Sequence, residues 1–90
     1  MERMTKVKLA NGLELEIRDN VLDNMELLDD LVAFDEGNGY AISRILARIL
    51  EPGENKKLYE SLRKDGVTPI TEVTKALKEI FDKLGTAGKN

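Results

Sequence analysis

The 90-residue chain has no histidine, no cysteine and no tryptophan. Without cysteine it has no disulfides, thiolate nucleophiles or thiolate metal ligands. Without histidine it lacks an imidazole base and the usual structural zinc sets. Aromatic residues make up 4% of the chain, and there are two prolines. Long apolar runs are also missing: the longest is Leu31-Val32-Ala33-Phe34, against about 20 residues for a membrane span. Met1-Glu2-Arg3-Met4-Thr5-Lys6 leads into alternating residues rather than the apolar stretch of a secretory leader, so the expected location is cytoplasmic. Together these absences argue against an enzyme. No catalytic residue, cofactor or metal ligand is assigned, and the residues alone describe a small interaction domain.

Hydrophobic residues make up 41% of the chain, with seven glycines besides, which is the balance of a folded protein. At about 100–200 residues per domain, the length allows one domain. Fourteen basic residues against seventeen acidic ones give a formal charge of −3. The charge is unevenly distributed. Residues 1–45 carry five basic and ten acidic side chains, and residues 46–90 carry nine and seven. Between Asp19 and Glu36 there are seven carboxylates and no Lys or Arg. Such a segment is either a solvated helix face or a surface for a basic partner. Asp23, Glu26 and Asp30 are assigned to this acidic face.

Val7 and Leu9 alternate with lysines, and Leu13, Leu15 and Ile17 alternate with charged residues, around Asn11-Gly12. This pattern predicts a β-hairpin. A two-residue Asn-Gly loop would mix apolar and charged side chains on each face. A three-residue loop, Ala10-Asn11-Gly12 with Gly12 left-handed, instead pairs Leu9 with Leu13, Val7 with Leu15 and Thr5 with Ile17. It also sets Lys8 opposite Glu14 and Lys6 opposite Glu16, and cross-strand charge pairs of this kind add about 0.2–1 kcal/mol each.

Four helices follow by periodicity. The first spans about Val21–Phe34, capped by Asp19 or Asn20, with Val21, Met25, Leu28 and Val32 as its apolar line and Leu27, Leu31 and Phe34 widening it. The second, about Tyr40–Leu50, turns Ile42, Ile45, Leu46 and Ile49 inward and Arg44 and Arg48 outward, and stops at Pro52-Gly53. The third, about Glu54–Lys64, buries Leu58, Tyr59 and Leu62 and ends on Gly66 as its C-cap. The fourth, about Pro69–Leu84, carries Ile70, Val73, Leu77, Ile80, Phe81 and Leu84. The predicted fold class is α+β and mostly helical. A hairpin (5–18) and a helical part (20–84) form one compact domain over residues 1–84, with a flexible tail at 85–90. A lone hairpin is marginal in water, so it must lie on the helices or share its edges with another subunit.

Four segments carry residues that invite a specific chemistry. Asp35-x-Gly37-x-Gly39 lacks the oxygen ligands of a calcium loop. Gly85-Thr86-Ala87-Gly88-Lys89-Asn90 follows a helix, unlike a phosphate-binding loop. Asp29 and Asp30 are adjacent on a helix and point apart. The segment Lys56–Lys78 has the outline of a helix-turn-helix, with Lys56, Lys57, Arg63, Lys64, Lys75 and Lys78 as phosphate contacts. Glu54, Glu60, Asp65, Glu72 and Glu79 interleave with these cations, and the chain as a whole is acidic. A small helix-turn-helix DNA-binding regulator is therefore the alternative reading.

From about residue 20 onward, the chain resembles the small tail assembly chaperones of long-tailed bacteriophages and prophages. The resemblance lies in Val21-Leu22-Asp23-Asn24-Met25-Glu26-Leu27-Leu28, in Leu58-Tyr59-Glu60-Ser61-Leu62-Arg63-Lys64-Asp65-Gly66-Val67-Thr68-Pro69, and in Glu79-Ile80-Phe81 with Lys89-Asn90. It departs at Pro52-Gly53, where a plainer glycine turn is expected. The resemblance implies a non-enzymatic protein that binds the tape-measure protein before tube subunits polymerise and is absent from the mature virion. It also implies a longer product, made by ribosomal slippage, that recruits tail tube protein. Gly88-Lys89-Asn90 is compatible with the codons GGA AAA AAC, which contain a slippery run. Neither nucleic acid nor membrane is an implied partner.

A holdase for amphipathic helices needs exposed apolar grooves, commonly shared between copies in a homo-oligomer. The candidate groove residues are Leu27, Leu31, Phe34, Ile42, Leu46 and Ile49. The competing assignment places all six in the core, since a domain this small needs nearly all its large aliphatics inside.

Overall fold

The hairpin forms in the register set by its two faces. In the computed structural model, which describes residues 4–87, β1 (Met4–Lys8) and β2 (Glu14–Arg18) are antiparallel, with Thr5 opposite Ile17, Lys6 opposite Glu16, Val7 opposite Leu15 and Lys8 opposite Glu14. Leu9 N–H donates to Leu13 C=O at 2.8 Å and Gly12 N–H to Leu9 C=O at 2.9 Å, closing the three-residue loop. Gly12 sits at φ 94°, in the left-handed region.

Four helices follow: α1 (Met25–Asp35), α2 (Ala41–Ile49), α3 (Glu54–Leu62) and α4 (Ile70–Ala87). The hairpin lies on them. Val7, Leu9, Leu15 and Ile17 are buried together with Ile45, Ile49, Leu58 and Ile80 in one core. Leu50 bridges Ile17 on the outer side of β2. Glu51 pairs with Arg18 at 3.0 Å, and Glu16 N–H donates to Glu54 Oε1. At the turn, Ala10 N–H donates to Glu79 Oε2 at 2.7 Å, and the Lys83 ammonium donates to the Lys8 carbonyl. The segment after α2, the start of α3 and the hairpin-facing side of α4 thus take up hydrogen-bonding groups that a free hairpin would leave to water.

Three boundaries differ from the sequence-based expectation. Helix α1 starts at Met25, four residues later than expected. Val21 N–H bonds Arg18 C=O and Asp23 N–H bonds Asn20 C=O, making tight turns that drop Val21 into the core. The Asp19 carboxylate accepts from the Thr5 hydroxyl, and Asn24, with extended backbone, caps the helix by accepting from Leu27 N–H at 3.2 Å. Gly66 does not cap α3. Lys64 and Val67 exchange both backbone hydrogen bonds, and Asp65 and Gly66 between them have φ 52° and 83°, the doubly left-handed turn that Asp-Gly favours. Helix α4 runs on through Gly85 to Ala87, so the start of the expected tail at 85–90 is helical; residues 88–90 lie outside the described residues.

At its other end α1 closes as a Schellman motif. Gly37 N–H bonds Phe34 C=O and Asn38 N–H bonds Ala33 C=O, with Gly37 at φ 105°. The chain turns back at once, and α2 packs against α1.

Candidate protein-binding surface

Helix α1 has more apolar residues than one face can hold. At about 100° per residue, Leu27, Leu31 and Phe34 share one side, and Met25, Leu28 and Val32 occupy much of the other. The first set faces the core: Leu27 is buried, and Leu31 and Phe34 are partly buried against the core. The second set is exposed, with Met25 62%, Leu28 49% and Val32 49% accessible; Leu22, just before the helix, is 46% accessible.

A carboxylate fixes this rotation. Among the described residues, Asp30 is the buried charged side chain, at 7% exposure. It lies in phase with Leu27 and Phe34, facing α2. Arg44 donates from Nε to Oδ1 at 3.0 Å and Arg48 from Nε to Oδ2 at 2.7 Å. The two arginines are four residues apart on α2, so one turn of helix separates them and the carboxylate sits between. The hydrogen bond from Arg48, then that from Arg44, holds the Asp30 carboxyl below its ordinary value, against the opposing effect of burial.

The expected acidic face is therefore divided. Asp23 and Glu26 are exposed, whereas Asp30 belongs to the α1–α2 interface. Asp29 and Asp35, both exposed, border the Met25–Leu28–Val32 line on its two sides. A shallow groove of about 280 Å³ runs beside this line, lined by Leu22, Met25, Leu27, Leu28 and Leu31.

The six groove candidates separate in the same way. Leu27, Leu46 and Ile49 are at most 2% exposed and are core residues, although Leu27 also lines the α1 groove and Leu46 a second cleft. Leu31 and Phe34 form the partly buried border of α1, and Leu31 also lines its groove. Ile42 lies on a second apolar cleft of about 190 Å³, between α2, α3 and the start of α4, with Leu46, Tyr59, Thr68, Ile70 and Val73. Ile70, expected in the core, is 73% exposed, and neighbouring Val67 is 63% exposed. Sequence reasoning missed Leu22, Met25, Leu28, Val32, Val67 and Ile70 as surface residues. The signal for α1 was present: Asp30 falls in phase with the buried aliphatics, and the next two cations, Arg44 and Arg48, are spaced to grip it.

The basic residues of the Lys56–Lys78 segment are partly engaged in ion pairs. Lys57 pairs with Glu54 at 2.8 Å, Arg63 with Glu60 at 3.8 Å and Lys75 with Glu72 at 3.6 Å. Among the described residues no group of three or more carboxylates is placed to hold a metal ion. No helix there is long and apolar enough to cross a membrane. Comparison with protein-family models, curated proteins and solved structures gives no significant match.

Proposed function

We propose that this chain is a non-enzymatic tail assembly chaperone of a long-tailed phage or prophage. It binds the tape-measure protein in the host cytoplasm and keeps its apolar helices soluble until tube subunits polymerise. It is the short form of a frameshifted pair, and the longer form recruits tail tube protein. Neither form remains in the mature virion.

The observation that carries this reading is the outward apolar line on α1, Met25, Leu28 and Val32, extended by Leu22 just before the helix. A domain this small gains stability by burying large aliphatics, so several grouped on one exposed face mark a binding surface. The resemblance in residues 20–90 supplies the identity of the partner. The DNA-binding alternative has less support, because the α3–α4 connection is a seven-residue loop with its own tight turn. The turn of a helix-turn-helix is about three or four residues.

The test is co-expression with the tape-measure protein from the same gene cluster. The expected result is a soluble complex that co-purifies, with this chain absent from purified particles. A tape-measure protein equally soluble without this chain would overturn the proposal, and salt-dependent retention on DNA would favour the regulator. The gene's final codons test the frameshift: an interrupted A run, with no overlapping frame downstream, excludes it.

A further inference from the structure

We infer that the exposed face of α1 docks a basic amphipathic helix of the partner protein. The inference rests on the chaperone reading above and adds the chemistry of the segment held.

Met25, Leu28 and Val32 stand at i, i+3 and i+7 on one side of an eleven-residue helix. They form a straight line about 10 Å long at 1.5 Å rise per residue. A line of that length and spacing matches apolar anchors at the same spacing on a second helix, the helix-in-groove mode of recognition. The groove beside it, about 280 Å³, gives one anchor a recess between Leu22 and Leu31.

Charge decides which helix fits. Exposed Asp29 and Asp35 border the apolar line, and exposed Asp23 and Glu26 stand at its N-terminal end. Residues 19–43 contain no Lys or Arg. The nearest cations along the chain in either direction are committed elsewhere: Arg18 to Glu51, and Arg44, with Arg48 a turn beyond, to Asp30. A docked helix with Glu or Asp beside its anchors meets carboxylates on both sides, whereas one with Lys or Arg there places opposite charges around a dry centre. An anionic lipid surface is repelled by the same carboxylates.

The test uses three synthetic helical peptides of equal length on the intact chain. One carries leucines at i, i+3 and i+7 flanked by Lys and Arg; the second replaces those cations with Glu; the third scrambles the basic peptide so that no apolar line forms. Binding is followed by fluorescence anisotropy at low and high salt, and the site is mapped by amide chemical shifts. The expected result is binding of the first peptide alone, with shifts confined to residues 22–36 and weakening with salt. L28S should weaken it at least tenfold, and the D29K/D35K double variant should transfer preference to the Glu-flanked peptide.

Equal binding of the first two peptides, shifts centred on the α2–α3–α4 cleft, or binding to anionic vesicles would each overturn the inference. Concentration-dependent dimerisation abolished by L28S would overturn it in favour of a second copy as the occupant. All variants are at exposed positions, and circular dichroism verifies their fold. The two proposals fail separately. A tape-measure protein that still co-purifies when no basic peptide binds refutes the docking inference alone, and the reverse pattern refutes the chaperone reading.

Discussion

Arg48 donates from Nε to Oδ2 of Asp30 at 2.7 Å, joining α2 to the inward side of α1. Arg44, one turn earlier, takes the other carboxylate oxygen. Large apolar residues cover about half the circumference of helix α1, more than the core takes in, so hydrophobic burial alone leaves two ways of turning it. Turning Met25, Leu28 and Val32 inward would bury comparable aliphatic surface but carry Asp30 away from α2, leaving two arginines without their carboxylate. The ion pair thereby selects which apolar line remains outside.

The clamp makes stability depend on pH in a defined direction. The folded-state value of Asp30 lies below the ordinary 3.8, so its contribution is present above that value and lost as pH falls through the lower, folded one. Asp30→Asn is expected to be less stable than the parent at pH 7, with the gap narrowing in acid below 3.8. Urea denaturation at several pH values measures this. Glu54, whose carboxyl is lowered first by the hydrogen bond from Lys57, acts in the same direction just below its ordinary 4.5 and accounts for acid sensitivity that remains in the variant. A constant gap between variant and parent down to pH 2 would show that the Asp30 charge does not stabilise the fold.

The position of the α1 cap is testable in the same way. Asn24→Ala removes the acceptor for Leu27 N–H and is expected to cost about 1 kcal/mol, or about 4–8 °C in Tm for a domain of this size. Asn20→Ala, at the cap expected from sequence, is predicted to cost less than half as much. The opposite ranking in thermal melts would place the helix start at Val21.

The hairpin was fully legible in the sequence because two independent constraints, apolar pairing and charge pairing, select one register. The existence and order of all four helices were legible for a similar reason, since each apolar stripe is longer than a turn. What was not legible came from competition between near-equivalent options. Asp19, Asn20, Asp23 and Asn24 are all competent caps, and the Thr5–Asp19 contact that occupies one of them is fourteen residues apart in sequence. Gly66 suits a C-cap and a tight turn equally well, and the Lys64–Val67 pairing decides between them. The rotation of α1 depends on Arg44 and Arg48, which lie on a different helix, so its own periodicity could not reveal the exposed line that carries the proposed site.

The start of the α4 stripe separates core from surface. Leu58 is fully buried, and Leu58→Ala is expected to cost about 2–5 kcal/mol. Ile70→Ser, at a position 73% exposed, should change stability by no more than about 0.5 kcal/mol. Chemical denaturation of both variants distinguishes a stripe beginning at Val73 from one beginning at Ile70, because an inward Ile70 would show a loss comparable to that of Leu58.

The three glycines 12, 39 and 66 permit a test of backbone strain free of packing. A Cβ added at any of them meets nothing within 4 Å, so changes in stability on substitution by alanine report conformation alone. Gly12 at φ 94° and Gly66 at φ 83° are left-handed, where alanine costs about 1–2 kcal/mol. Gly39 is outside that region, and alanine there restricts the unfolded chain, with an expected gain of about 0.4–1 kcal/mol. Opposite signs for Gly39→Ala and the other two in urea denaturation are the expected outcome. A loss at Gly39 matching that at Gly12 would mean that the loop between α1 and α2 also needs a left-handed residue there, and that Gly37 alone does not turn the chain.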